Sequence, residues 1–64
     1  MKEVLENYIG KNINVIMTGG SGATFGKLTK VNNHNFVMET RWATKHYFDI
    51  SKVESVWAEE DKND

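Results

Sequence analysis

A chain of 64 residues can close one thin hydrophobic core, which stands near the limit of independent stability unless something reinforces it. Cysteine is absent, so disulfides and thiolate metal sites are excluded and association with further copies becomes the expected reinforcement. Eight Lys and Arg against nine Asp and Glu give a formal net charge of -1, which argues against the basic surplus of a protein that grips long nucleic acid by its phosphates.

Charge is unevenly placed. Lys27, Lys30, Arg41 and Lys45 group mid-chain while Glu59, Glu60, Asp61 and Asp64 load the end, which leaves room for one local basic site. At the N-terminus Lys2, Glu3 and Glu6 interrupt Val4 and Leu5, so this segment is too short and too charged for a signal peptide or a membrane span. The expectation is a cytoplasmic protein without membrane contact.

Val4, Leu5, Tyr8 and Ile9 share one helical face, with Gly10 where a C-terminal cap belongs, so the chain is predicted to open with a helix of about nine residues. Ile13, Val15 and Met17 then alternate with Asn12, Asn14 and Thr18 as in a half-buried strand, and Ile16 adds apolar surface to the polar face. Thr18-Gly19-Gly20-Ser21-Gly22 reads as a hairpin loop whose glycines supply positive backbone angles. A phosphate loop needs glycine at position 21 if Gly26-Lys27 closes the motif; Ser21 stands there, and Leu28 follows Lys27. Residues 23–31 form a second strand with Gly26 inside it, a mark of a sharp bend or a close backbone approach.

Asn32-Asn33-His34-Asn35 makes a polar turn before a third strand at 36–40. A turn at 41–45 leads to a fourth strand at 46–50. Ser51-Lys52-Val53-Glu54 has capping-box spacing for a single helical turn before a last strand at 53–57. Residues 58–64 are acidic, lack periodicity and are predicted to be disordered, which makes 1–57 the single domain.

The run Gly26-Lys27-Leu28-Thr29-Lys30-Val31, the Asn/His turn and then Phe36-Val37-Met38-Glu39 resembles the first signature of the Sm-like family, which includes the bacterial Hfq proteins. A helix plus five short strands is also that family's element order, over roughly residues 4–57. The resemblance implies an all-β fold with one N-terminal helix, a small, strongly bent five-stranded Sm-like (SH3-like) barrel. It implies a homo-oligomeric ring in which the fourth strand of one subunit pairs with the fifth of the next, through Tyr47, Phe48, Ile50 and Val56. It also implies a ligand site at the turn of Asn32, His34 and Asn35, where His34 stacks on a base and Asn35 reads a base edge. The same turn has a simpler reading, because Asn tolerates left-handed angles and bonds its own backbone.

The second family signature departs. Asp49-Ile50 stands where Sm proteins have Arg-Gly and Hfq proteins Lys-His, and an aspartate repels phosphate, so the usual RNA pore is not preserved and general RNA binding should be weak. The Lys45-His46 pair precedes the strand and falls out of register.

Arg41-Trp42 lies in a turn where a large aromatic has no core position. Trp beside Arg stacks a base while the guanidinium pairs a phosphate, or else Trp42 covers a neighbouring subunit. Trp57, at the end of the last strand, is expected to pack. His34 and His46 have no ligand spacing, so neither metal nor cofactor is expected. No nucleophile elbow or paired carboxylates suggest catalysis. The reading is a non-enzymatic, homo-oligomeric protein that binds a nucleotide-type ligand, either short single-stranded RNA or a small nucleotide. The alternatives are a phage-type sponge that sequesters a cyclic-nucleotide immune signal, and a structural or protein-interaction ring.

Overall fold

The alternation of Asn12–Met17 becomes strand β1, which buries Ile13 and Val15 and turns Asn12, Asn14 and Ile16 to the other face. The computed structural model describes residues 1–20 and 22–59. Four further strands, β2 (Ala23–Val31), β3 (Asn35–Glu39), β4 (His46–Asp49) and β5 (Val53–Ala58), join β1 in one antiparallel sheet of order β4-β3-β2-β1-β5. The fold is therefore mostly β, five strands in one sheet with a short helix in front.

Gly19, at φ 77, supplies the positive angle expected of the β1–β2 loop; Ser21 of that loop lies outside the described residues. Between Leu28 and Lys30 the register of β2 on β3 shifts, leaving Thr29 as the extra residue of a bulge that bends the strand. The Thr29 hydroxyl donates to the Val37 carbonyl at 3.1 Å, so the bend is hydrogen-bonded rather than loose. Phe36, Val37 and Met38 are consecutive and all buried, which places β3 between covered faces.

Helix α1 (Lys2–Glu6) is shorter than the periodicity predicts. Only Leu5 of the expected face is buried, Tyr8 is half-buried, and Val4 and Ile9 are exposed. The physical reason is a tie to β2. The Gly10 amide donates to the Leu28 carbonyl at 2.7 Å and the Leu28 amide to the Lys11 carbonyl at 3.0 Å, and to reach them the chain must leave the helix and turn at Gly10, φ 90. The core that results joins Leu5, Ile13, Val15, Leu28, Phe36 and Met38, with Phe48 stacked on Phe36 at a centroid distance of 5.2 Å. No helix among the described residues is long and apolar enough to cross a membrane.

The helical turn before β5 falls at Ile50–Lys52, two residues earlier than a turn capped by Ser51, and its cap is Asp49. Asp49 Oδ1 accepts from the Ser51 hydroxyl at 2.8 Å and from the Ser51 amide at 2.9 Å. These two bonds, the hydroxyl's first, outweigh desolvation and together with Lys52 and His34 hold the carboxyl below its ordinary 3.8. A depressed carboxylate contributes stability above its unfolded value and loses it as the pH falls through the folded one. In a carboxyl NMR titration Asp49 should thus titrate below 3.8. Ser51→Ala, which keeps the amide bond, should move the midpoint upward; a parental midpoint at or above the ordinary value would contradict the cap.

Strand β5 reaches Ala58, one residue past the expected domain end, and the Glu59 amide donates to the Asn12 carbonyl at 3.0 Å. Of the segment expected to be disordered, residues 60–64 lie outside the described residues.

Candidate ligand-binding site

The chain leaves β3 at Thr40, whose hydroxyl accepts from the amides of Trp42 at 3.2 Å and Ala43 at 3.3 Å, while its own amide donates to the Ala43 carbonyl at 2.9 Å. This turn, closed by a threonine side chain, holds Arg41 and Trp42 at its tip. Trp42 is 79% exposed, and the Arg41 guanidinium carbon lies 5.2 Å from the centroid of its ring. That is cation–π distance, and it leaves most of the indole surface free.

Beneath the tip lies an open cleft of about 730 Å³. Phe25 and Lys27 of β2, Glu39 of β3, Arg41 and Trp42 of the turn and His46 of β4 wall it, with Gly26 among them. A volume of this order suits a small organic ligand. Its chemistry is three aromatic rings, the Trp42 indole, the Phe25 phenyl and the His46 imidazole, with Lys27 and Arg41 as cations and Glu39 as the carboxylate. His46 is braced from behind by Phe48, centroid to centroid 4.4 Å, so its ring is held by packing.

The residues expected to form a single site divide between two ends of β3. Arg41 and Trp42 line the cleft, whereas Asn32, His34 and Asn35 lie at the opposite end, about 14 Å of strand away at 3.4 Å per residue. In that turn the Asn32 side-chain amide donates to Asn35 Oδ1 at 2.6 Å, the Asn32 backbone amide donates to the Asn35 carbonyl at 2.8 Å, and the His34 carbonyl accepts from Ile50 at 2.9 Å. Among the described residues only glycines have positive φ, so the turn uses the bonding capacity of Asn and not its tolerance of left-handed angles. The Asn35 oxygen is thereby engaged within the chain.

Of the four residues expected at a subunit contact, Tyr47 is 59% exposed on β4, while Phe48, Ile50 and Val56 are half-buried against the chain's own core. Trp57, expected to pack, is 42% exposed. Phe25, Lys27 and His46 join Trp42 around the cleft although no motif in the sequence groups them. Strand parity was the available signal: Gly26 and Leu28 face inward, so Phe25 and Lys27 face outward. Comparison with protein-family models, with curated proteins and with solved structures finds no match to this chain.

Proposed function

We propose that this chain is a non-enzymatic, homo-oligomeric Sm-like protein that binds a nucleotide-type ligand, short single-stranded RNA or a small nucleotide, in the Trp42 cleft. The observation that carries the reading is the Arg41–Trp42 pair, an exposed indole backed by a guanidinium 5.2 Å from its centroid, at the rim of a cleft that also holds Phe25 and Lys27. A base stacks on an aromatic face whatever its sequence, and a neighbouring cation pairs the phosphate that a base brings with it. The strand order with the helix in front supports the Sm-like reading, because β4 and β5 are left as outer strands available to a second copy, with exposed Tyr47 on one of them.

Calorimetric titration with 5′-AMP and with a uridylate hexamer tests the site. Trp42→Ala should weaken binding of either by roughly 5- to 150-fold, about 1–3 kcal/mol for one stacked base, with an unchanged melting temperature. If neither probe binds the parent, or if the variant binds as the parent does, the cleft is not the site. Salt dependence ranks the two ligand classes, since an RNA strand releases more counterions than a mononucleotide. Sedimentation tests assembly. The parent should exceed the 7.3 kDa monomer at micromolar concentration, and Tyr47→Asp should shift it toward that mass while retaining its circular dichroism. A monomeric parent ends the oligomer part of the proposal.

A further inference from the structure

Beside the cleft, the outer face of the sheet carries a row that the register defines. Asn14 of β1 pairs with Phe25 of β2 on one side and with Trp57 of β5 on the other, and directly paired residues of an antiparallel sheet point to the same face. Phe25 is 52% and Trp57 42% exposed, so the row is two open rings with an amide between them. Two strand spacings separate the ring-bearing backbones by about 10 Å. Among the described residues the ring contacts are Phe36 with Phe48 and His46 with Phe48, so Phe25 and Trp57 do not stack on each other. A planar ring held between two others needs about 7 Å, twice a carbon–carbon contact of about 3.5 Å, which this spacing admits.

The floor of the row is chemically suited to a base. Asn14 gives its side-chain NH2 to a Glu59 carboxylate oxygen, leaving Oδ1 to accept from an exocyclic amine. Phe25 is also a wall of the Trp42 cleft, so the two aromatic positions share a ring. Lys27 stands two residues along β2 on the same face, about 7 Å from Phe25, and pairs across the sheet with Asn12 and Glu39. A cation is therefore placed beside the shared ring.

Resting on the reading of the Trp42 cleft as a nucleotide site, we propose that the Trp57–Asn14–Phe25 row is a second base-binding position and that the ligand is a dinucleotide. One base stacks on Trp42, the other lies between Trp57 and Phe25, and the linking phosphate meets Lys27. Charge favours two nucleotides over a longer strand. Glu39 and Glu59 border the path, and further phosphates would run against them with few cations in compensation.

Calorimetry on the full chain with 5′-AMP, the linear dinucleotide pApA and hexa-adenylate is the test. The dinucleotide should bind at least about ten-fold more tightly than AMP, as one further stacked base provides, and hexa-adenylate no more tightly than pApA. Trp57→Ala should reduce pApA to about the affinity that AMP has for the same variant, and Trp57→Phe, which keeps a ring, should restore most of the difference. Equal affinity for AMP and pApA, an unchanged pApA affinity in Trp57→Ala, or ten-fold tighter hexa-adenylate overturns the second position. If AMP binding is still lost in Trp42→Ala, the cleft reading survives that outcome. A parent that binds none of the three probes removes both.

Discussion

Phe36→Ala is expected to leave the chain largely unfolded at room temperature. Phe36 has no solvent exposure and stacks on Phe48 with ring planes 14° apart, inside a cluster that also contains Leu5, Ile13, Val15, Leu28 and Met38. Truncating such a ring costs about 3–5 kcal/mol, the lost transfer energy plus the cavity left behind. A domain of this length has about 3–10 kcal/mol in total at typical per-residue stability, so one substitution can consume most of it. The cavity term is not easily relieved. The core draws on all five strands and the helix, and collapse around the void would have to shift a sheet whose ladder hydrogen bonds resist it. Urea unfolding followed by tryptophan fluorescence should show little or no native baseline for Phe36→Ala and an intermediate midpoint for Phe36→Leu, which retains most of the apolar volume. A loss below about 1 kcal/mol in Phe36→Ala would mean that another residue centres the core.

The strands were legible because each obeys a local rule. Ile13 and Val15 alternate with asparagines, glycines mark the β1–β2 loop, and the apolar run at Phe36–Met38 follows a polar turn. The helix is shorter than its periodicity through Ile9 implies, because that pattern cannot report that Gly10 and Lys11 are drawn onto Leu28. The capping box at Ser51 was likewise outcompeted by an aspartate two residues earlier that bonds both the hydroxyl and the amide of that serine. Trp42 was legible as an aromatic without a core position, and it is the most exposed large apolar residue described. Its neighbours were not legible, because Phe25 and Lys27 of β2 and His46 of β4 come from strands separated in sequence and line one cleft only in the folded sheet. Asn14, Phe25 and Trp57 form a row for the same reason. Outer-face rows depend on pairing partners, which no single segment encodes.

Gly26→Ala should destabilise the fold and deform the cleft together. A Cβ built at Gly26 lies 2.6 Å from the Glu39 carbonyl oxygen, 3.1 Å from Thr40 Cγ2 and 3.2 Å from Met38 Cε. The methionine methyl can swing away, but the carbonyl belongs to the β2–β3 ladder and moves only with the strand. The φ of Gly26 is not positive, so alanine carries no left-handed strain, and its stiffer unfolded chain would by itself stabilise by about 0.4–1 kcal/mol. The steric cost of forcing atoms into a packed site, typically about 1–3 kcal/mol, is the larger effect. The net loss should lower the melting temperature by roughly 5–15 °C in a domain of this size. Gly10→Ala separates the two roles of glycine, because its φ is 90 and a Cβ there would meet nothing within 4 Å beyond its chain neighbours, so its cost is conformational strain of about 1 kcal/mol or a little more. The distinguishing readout is ligand affinity. Displacing Glu39 and Thr40 moves the turn that carries Arg41 and Trp42, so Gly26→Ala should weaken nucleotide binding below its melting transition, whereas Gly10→Ala, which neither lines the cleft nor touches the Trp42 turn, should change binding much less. If Gly26→Ala melts within a degree or two of the parent and binds as well, the approach of β2 to β3 at this point is not what positions the Trp42 turn.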